Sequence, residues 1–276
     1  MKGLCDLKAV FLDLDGSLLN SQRQIGEEDR RTVARLREAG VRVHIATGRH
    51  YRLAARYHRE LGLELPFLAS DGAVLYHPGQ RQVVFAHPMP AEVIRDILRA
   101  AAGEEFYFHD VADAYFSPNF GRMGVWQDYA AGCGPQDLCS ALSGPPEGYL
   151  AGEPVMMAIM LHLPSPGLLA ELKEICRGKV PLFVHPEERI AIASAPGWDK
   201  GRGAAWLAEA EGFSLRDTLA LGDAGNDLPL LRAVGWPVVP QNGEEEAKAL
   251  ARFITTDHDN NPLTAAIEAL FPELLR

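Results

Sequence analysis

The sequence, 276 residues long, is poor in cysteine, with only Cys5, Cys133, Cys139 and Cys176. None forms a CxxC pair and no histidine cluster accompanies them, so neither a zinc site nor a disulfide framework is indicated. Reduced cysteines in a cytoplasmic protein are the expectation. A basic surplus is also lacking. Lysine and arginine number 27 against 37 aspartates and glutamates, a formal net charge of -10. Without surplus cations to neutralise a phosphate backbone, the composition argues against nucleic acid as a partner. Any phosphorylated ligand must then be attracted by a local positive site. Long apolar runs are missing: the longest, around 155–163, falls far below the roughly 20 residues of a membrane helix. A strand within about ten residues of the N-terminus leaves no room for a signal peptide. No internal repeat or low-complexity tract is present. The expectation is a cytoplasmic protein with no membrane attachment.

What is present is ordinary for a globular chain, with 47% hydrophobic and 23% charged residues, and long enough for one large or two smaller domains. In the first third, 9–12 is a short apolar run of the buried parallel-strand kind. The spacing then predicts a helix over 27–39 closed by Gly40, a strand over 41–45 and a helix over 51–61. The last third repeats this style, with a helix over 203–211, a strand over 218–221, a short helix over 228–234, a strand at 238–239 and a helix over 262–270. This alternation implies a parallel sheet with helices on its faces. The middle differs. Helical segments mix there with strand candidates at 105–109, 155–163 and 189–193, and a Gly- and Pro-dense stretch at 132–154 reads as a surface excursion. The organisation is one α/β domain split by an inserted α+β domain.

Polar, Gly-containing clusters follow three strands: Asp13-Leu-Asp-Gly-Ser17, Ala46-Thr-Gly-Arg49 and Gly222-Asp-Ala-Gly-Asn-Asp227. Open parallel sheets bind ligands outside the carboxyl ends of their strands, so the three converge. Asp13 and Asp15, two apart on an extended segment, face the same side. With Asp223 and Asp227 they gather four carboxylates that cannot all stay ionised together without a cation. Hard oxygen donors of this kind suit Mg²⁺, with Mn²⁺ possible by overlapping preference. Thr47 supplies a hydroxyl, Gly48 a backbone N–H near a helix start where anions are stabilised, and Lys200, just before the 203–211 helix, a cation for a phosphoryl group. Arg49 approaches the site, while Arg52, Arg56 and Arg59 follow helical spacing as a solvated face. Phe106-Tyr-Phe108, with His109 and Tyr115, reads as strand packing in preference to a pocket wall. For His185 and Glu187, near the return from the insertion, substrate contact and a hinge or surface role both stay open.

These four clusters, with Lys200-Gly201 as the third in order, resemble the ordered motifs of the haloacid dehalogenase superfamily, and their spacing is similar to its Cof-type branch, subfamily IIB. The resemblance covers both core segments and, in placement and length only, the insertion. It implies a Rossmann-like core at 1–85 and 196–276 and an α+β cap of the C2B type at 86–195. It further implies Mg²⁺-dependent hydrolysis of a small phosphorylated metabolite, sugar phosphates leading. Asp13 is then the nucleophile and Asp15 the acid/base. The metal is held by Asp13, the backbone of Asp15, Asp223 and the supporting Asp227. Thr47, Gly48, Lys200 and Asn226 attend the phosphoryl group, with Arg49 nearby. A monomer or homodimer is expected. The pattern departs from the family at Ser17, where Thr is usual, at Asp71, where Asn is common, in Val239-Pro240-Gln-Asn242 and in Asp259-Asn-Asn-Pro262. A phosphomutase with the same nucleophile and a non-catalytic metabolite sensor are the alternatives. The presence of every catalytic residue type speaks against the sensor.

Overall fold

The structure is a computed structural model that describes residues 7–117, 140–141, 155–163, 165–185 and 189–275. The first stretch of chain runs β1 (Ala9–Leu12), α1 (Glu27–Glu38), β2 (Arg42–Ile45), α2 (Tyr51–Glu60), β3 (Phe67–Ala69), β4 (Val74–His77) and β5 (Gln82–Ala86). The middle contains α3 (Ala91–Ala100), β6 (Phe106–His109), β7 (Ala114–Phe116), β8 (Ser140–Ala141), β9 (Ala158–His162), α4 (Pro166–Cys176), β10 (Leu182–His185) and β11 (Ile190–Ser194). The last part adds α5 (Lys200–Glu211), β12 (Thr218–Leu221), α6 (Leu228–Ala233), β13 (Trp236–Pro240), α7 (Glu245–Lys248), β14 (Phe253–Thr255) and α8 (Pro262–Leu270).

β1 is buried at all four positions, as a strand covered on both faces must be. It lies inside a five-stranded parallel sheet of order β14-β13-β12-β1-β2, with Leu12 opposite both Leu221 and Ile45. Val10 and Leu12 pack into one apolar cluster while Phe11 packs into another, the period-two alternation that puts helices on both sheet faces. α1 follows Gly26 with Glu27, Glu28 and Asp29 in its first turn and Arg35 and Arg37 in its last. That charge order complements the helix dipole, and Gly40 at φ 80° closes the turn after it.

A three-stranded antiparallel unit, β3-β4-β5, meets this sheet through a parallel bridge between Ala46 and Leu68. The separate six-stranded cap sheet has the order β10-β11-β9-β6-β7-β8, antiparallel throughout except for β7 with β8. One of its faces is covered, because Phe106, Phe108, Ile159 and Leu161 share an apolar core with Val93 and Ile97 of α3 and Leu168 and Leu172 of α4. The architecture is α/β with an added cap sheet.

Two of the elements that differ from expectation have a local reason or a local cost. α5 begins at Lys200, three residues earlier than the sequence suggests, because Asp199 caps it by accepting from the Arg202 N–H at 2.8 Å. β13 spans five residues and includes Pro237 and Pro240, which sequence rules assign to strand edges. The 132–154 stretch lies outside the described residues apart from β8. Among the described residues, no helix is long and apolar enough to cross a membrane.

Candidate active site

The chain leaves β1 into a tight loop. Asp13 still completes the ladder, its N–H donating to Leu221 O at 2.9 Å, and the Leu18 and Leu19 N–H groups fold back on Asp13 O and Leu14 O. Gly16 makes this possible at φ 74°, and a Cβ there would collide with the Asp223 carboxylate. The loop after β12 comes equally close, since a Cβ on Gly222 would meet Asp227 Cγ at 2.7 Å. Asp227 stands at the position preceding α6 without capping it. Its Oδ2 turns back instead to accept from the Asp223 and Ala224 N–H groups at 3.0 and 3.2 Å, so it shapes the loop that carries Asp223.

Three carboxylates meet here. Oxygens of Asp13, Asp223 and Asp227 lie within 4.8 Å of one another. Lys200, wholly buried as the first residue of α5, donates to Asp13 Oδ1 and Asp227 Oδ1, each at 2.6 Å. Burial alone would lower its pKa, but the two carboxylates reverse that and hold the ammonium charged. One cation does not balance three anions. Burial, and then repulsion from Asp227, pushes the Asp13 carboxyl well above its ordinary range. The same two causes push Asp223 up to about 7, although Ser17 donates to it at 2.9 Å. An electron-rich oxygen set with excess negative charge fits a hard divalent cation.

Asp15 is placed apart from this cluster. Its side chain, 56% exposed in the crevice, meets Arg49, whose Nε donates to Oδ2 at 2.6 Å while Nη2 binds Oδ1. Enclosure would raise the Asp15 carboxyl, but the Arg49 guanidinium prevails and holds it below the usual carboxylate range. The Asp15 side chain is thus engaged by Arg49 and is not gathered with the three clustered carboxylates. Arg49 itself lies across the Tyr57 ring, 5.2 Å from its centroid.

The remaining expected residues divide. Gly48, Arg49 and Asn226 line a cavity of about 820 Å³ together with Asp13, Asp15 and Asp223. Thr47 and Lys200 are almost fully buried and are not among its lining residues. Thr47 Oγ1 accepts from the Arg49 N–H at 3.1 Å, which shapes the loop into α2. Asn226 donates to Asp71 Oδ1 at 2.8 Å. Asp71 sits in a turn where Ser70, Asp71 and Gly72 all have left-handed backbone, φ 48°, 55° and 86°. Such a run is strained for two non-glycine residues and persists because its surroundings fix it. The Ser70 N–H donates to Arg49 O and the Asp71 N–H to Thr47 O.

The aromatic strand departs from expectation. Phe106 and Phe108 pack into the core, but the alternate residues Tyr107 and His109 line the cavity. His109 Nδ1 lies 3.0 Å from Ser70 Oγ, its Nε2 contacts the Tyr107 hydroxyl, and burial lowers its pKa to about 3. Period-two alternation was the available signal, since a strand with one packed face presents its other residues elsewhere. Arg23 and Glu244 also line the cavity and carry no motif that marks them. Arg52 does not form part of a merely solvated face, because its Nη1 lies 3.5 Å from Asp113 Oδ2 on the cap side. Glu187 and the His185 side chain lie outside the described residues.

The family described as haloacid dehalogenase-like hydrolase matches residues 10–127 and 161–267. A pyridoxal phosphate phosphatase of Escherichia coli (strain K12) is 27% identical over 94% of this chain and 97% of its own. A 5-amino-6-(5-phospho-D-ribitylamino)uracil phosphatase of Bacillus subtilis (strain 168) is 28% identical over 95% and 97%. Among solved structures, a haloacid dehalogenase-like hydrolase from Bacteroides thetaiotaomicron superposes with a TM-score of 0.78 at 23% identity, covering 96% of this chain and 99% of that one. With the match spanning both segments of the parallel-sheet core and much of the cap between them, the chain belongs to the haloacid dehalogenase-like hydrolases.

Proposed function

We propose that this enzyme hydrolyses a small phosphate monoester in a magnesium-dependent reaction, through an aspartyl-phosphate on Asp13. The observation that carries the reading is the meeting of Asp13, Asp223 and Asp227 beside one buried ammonium that bonds Asp13 and Asp227, at the carboxyl ends of parallel strands, with Asp13 and Asp223 lining a cavity. Two relatives are named for phosphate esters that carry a heteroaromatic ring, which agrees with a small-metabolite ester. A cytoplasmic setting follows from the cysteine usage.

Asp13, Asp223 and the Asp15 backbone would hold the divalent cation, with Asp227 bracing the loop. When bound, the cation offsets the carboxylates and the charge of the incoming phosphate. The residues then do the chemistry. An Asp13 carboxylate oxygen bonds to phosphorus as the bond from phosphorus to the alcohol oxygen breaks, and Asp15 gives that oxygen a proton. In the second half, Asp15 takes a proton from water as the water oxygen bonds to phosphorus. The bond to Asp13 then breaks, which frees phosphate and the nucleophile. Lys200 keeps the Asp13 carboxylate oriented. Positioning and charge stabilisation supply most of the acceleration in such transfers.

Arg49 sets a condition on this scheme. A carboxylate held below its ordinary pKa suits the base of the second half and not the acid of the first. Entry of a phosphate dianion competes for the guanidinium, and the loosened Asp15 regains the pKa an acid needs. The cap excludes water during transfer. We place its limits near 86 and 195, where the chain leaves β5 and β11.

The test is phosphate release from a panel of small phosphate esters, with Mg²⁺ and with chelator, by wild type and by Asp13→Asn. Release that requires metal and vanishes in the variant supports the reading. Equal release by the variant removes Asp13 as nucleophile.

A further inference from the structure

We propose that the cavity selects esters whose alcohol carries a flat aromatic or heteroaromatic ring, seated against the cap sheet; this rests on the phosphatase reading above. The floor and roof of the cavity differ in chemistry. The floor is charged, with Asp13, Asp15, Arg49 and Asp223. The roof is formed by the face of the cap sheet turned away from α3 and α4, where cross-strand register aligns Phe183 with Ile192, Ile192 with Met160, and Met160 with Tyr107. All four line the cavity, so three apolar side chains from β10, β11 and β9 form an unbroken strip ending on the phenol of β6. Ala158 and Ile190 widen it, and His109, opposite Ala158, stands beside Tyr107 at the polar end.

A polyol pressed on this strip leaves hydroxyls desolvated without partners, which is costly. A ring loses nothing there. It gains area against the aliphatic side chains, an aromatic contact with Phe183 and a thioether contact with Met160. The Tyr107–His109 end then meets a polar ring substituent. The phosphate on the floor and the ring on the roof use opposite walls, so neither compromises the other. The volume of about 820 Å³ holds a metabolite of this size.

The test compares benzyl phosphate with glucose 6-phosphate, both esters of primary alcohols, on the full chain with Mg²⁺. Binding of 2-phenylethylphosphonate and of a glucose phosphonate is measured alongside by calorimetry. The wild type is expected to favour the ring in kcat/KM and in Kd by about tenfold or more. Ile192→Asn should bring both ratios toward unity. Met160→Gln serves as a second variant should the first fold poorly, and each ratio is measured within one protein. Turnover with no preference, or with preference for the sugar, overturns this proposal and leaves the phosphatase reading standing. No turnover, with ring phosphonate still preferred and the preference lost in Ile192→Asn, overturns the phosphatase reading and supports the ring seat. No turnover and no preference overturns both.

Discussion

At the scale of single residues, the buried ammonium of Lys200 holds the site together, because it bonds both Asp13 and Asp227. Removing one partner of a buried charge cluster leaves the others uncompensated. Lys200→Met is therefore expected to cost about 3–5 kcal/mol in urea unfolding with chelator present. Mg²⁺ should restore more stability to the variant than to wild type, since the cation then replaces the lost charge. Two other buried groups respond to pH in opposite senses. His58, whose Nε2 lies 2.8 Å from Leu65 O, is pushed by burial to about 4. Its depressed folded-state pKa means that stability is present above about 6.5 and lost as pH falls through about 4, a change of about 3 kcal/mol. Asp29 is pushed by burial to about 6 despite two hydrogen bonds from Thr264. Its raised value means that stability is full below about 3.8 and lost as pH climbs through about 6, again by about 3 kcal/mol. Between these limits the two slopes oppose each other. His58→Gln should therefore expose a stability that falls as pH rises toward 6, and Asp29→Asn one that falls as pH drops toward 4. Chemical denaturation at half-unit steps of pH reads both, and a flat profile in either variant would remove the assignment.

At the scale of elements, close approach replaces side chains. A Cβ on Gly201 would meet Pro229 O at 2.5 Å, so α5 packs on the start of α6 through bare backbone. Gly201→Ala forces the two helices apart and moves the neighbouring Lys200. The expected cost is about 1–3 kcal/mol, with metal affinity falling in parallel, as thermal unfolding with and without Mg²⁺ would read. The same glycines explain where the sequence was hard to read. Gly201 looks like a breaker, and the sequence places the helix start beyond it, at Gly203; tertiary packing overrides that propensity. β1, β12, α6 and α8 were legible because their patterns are unbroken and their ends are punctuated. The loop residues after the strands were legible because strand ends in a parallel sheet have one destination. The cavity roof was not legible. It depends on which residues of β9, β10 and β11 share a register row, and register follows from pairings distant in the chain. Arg23 and Glu244 reach the cavity from loops with no pattern to announce them.

At the scale of the whole molecule, polar contacts among the described residues tie the cap side to the core. Arg52 pairs with Asp113 at 3.5 Å, the Tyr51 hydroxyl donates to Ala112 O at 3.4 Å, and Ser70 meets His109 at 3.0 Å. A partly buried ion pair is worth up to about 1 kcal/mol, enough to shift a closed–open balance up to about fivefold. Asp113→Asn is expected to raise KM within that range and to make it less sensitive to salt. Steady-state kinetics at two ionic strengths, with solution scattering for the mean cap position, checks this. An unchanged KM and scattering curve would mean that the pair does not govern closure.

The left-handed turn at Ser70, Asp71 and Gly72 reaches further than any of these pairs. It holds the loop after β2 through Thr47 O and Arg49 O and fixes Asn226 through Asp71. Through Ser70 it touches the cap, and a Cβ on Gly72 would strike the backbone of Asp199 and Lys200. For anyone recombining parts between relatives, this makes the turn a shared fitting. A transplanted cap would need to bring a hydrogen-bonding side chain at the place of His109 to seat correctly. A cap lacking it would leave the loop after β2 braced from one side only.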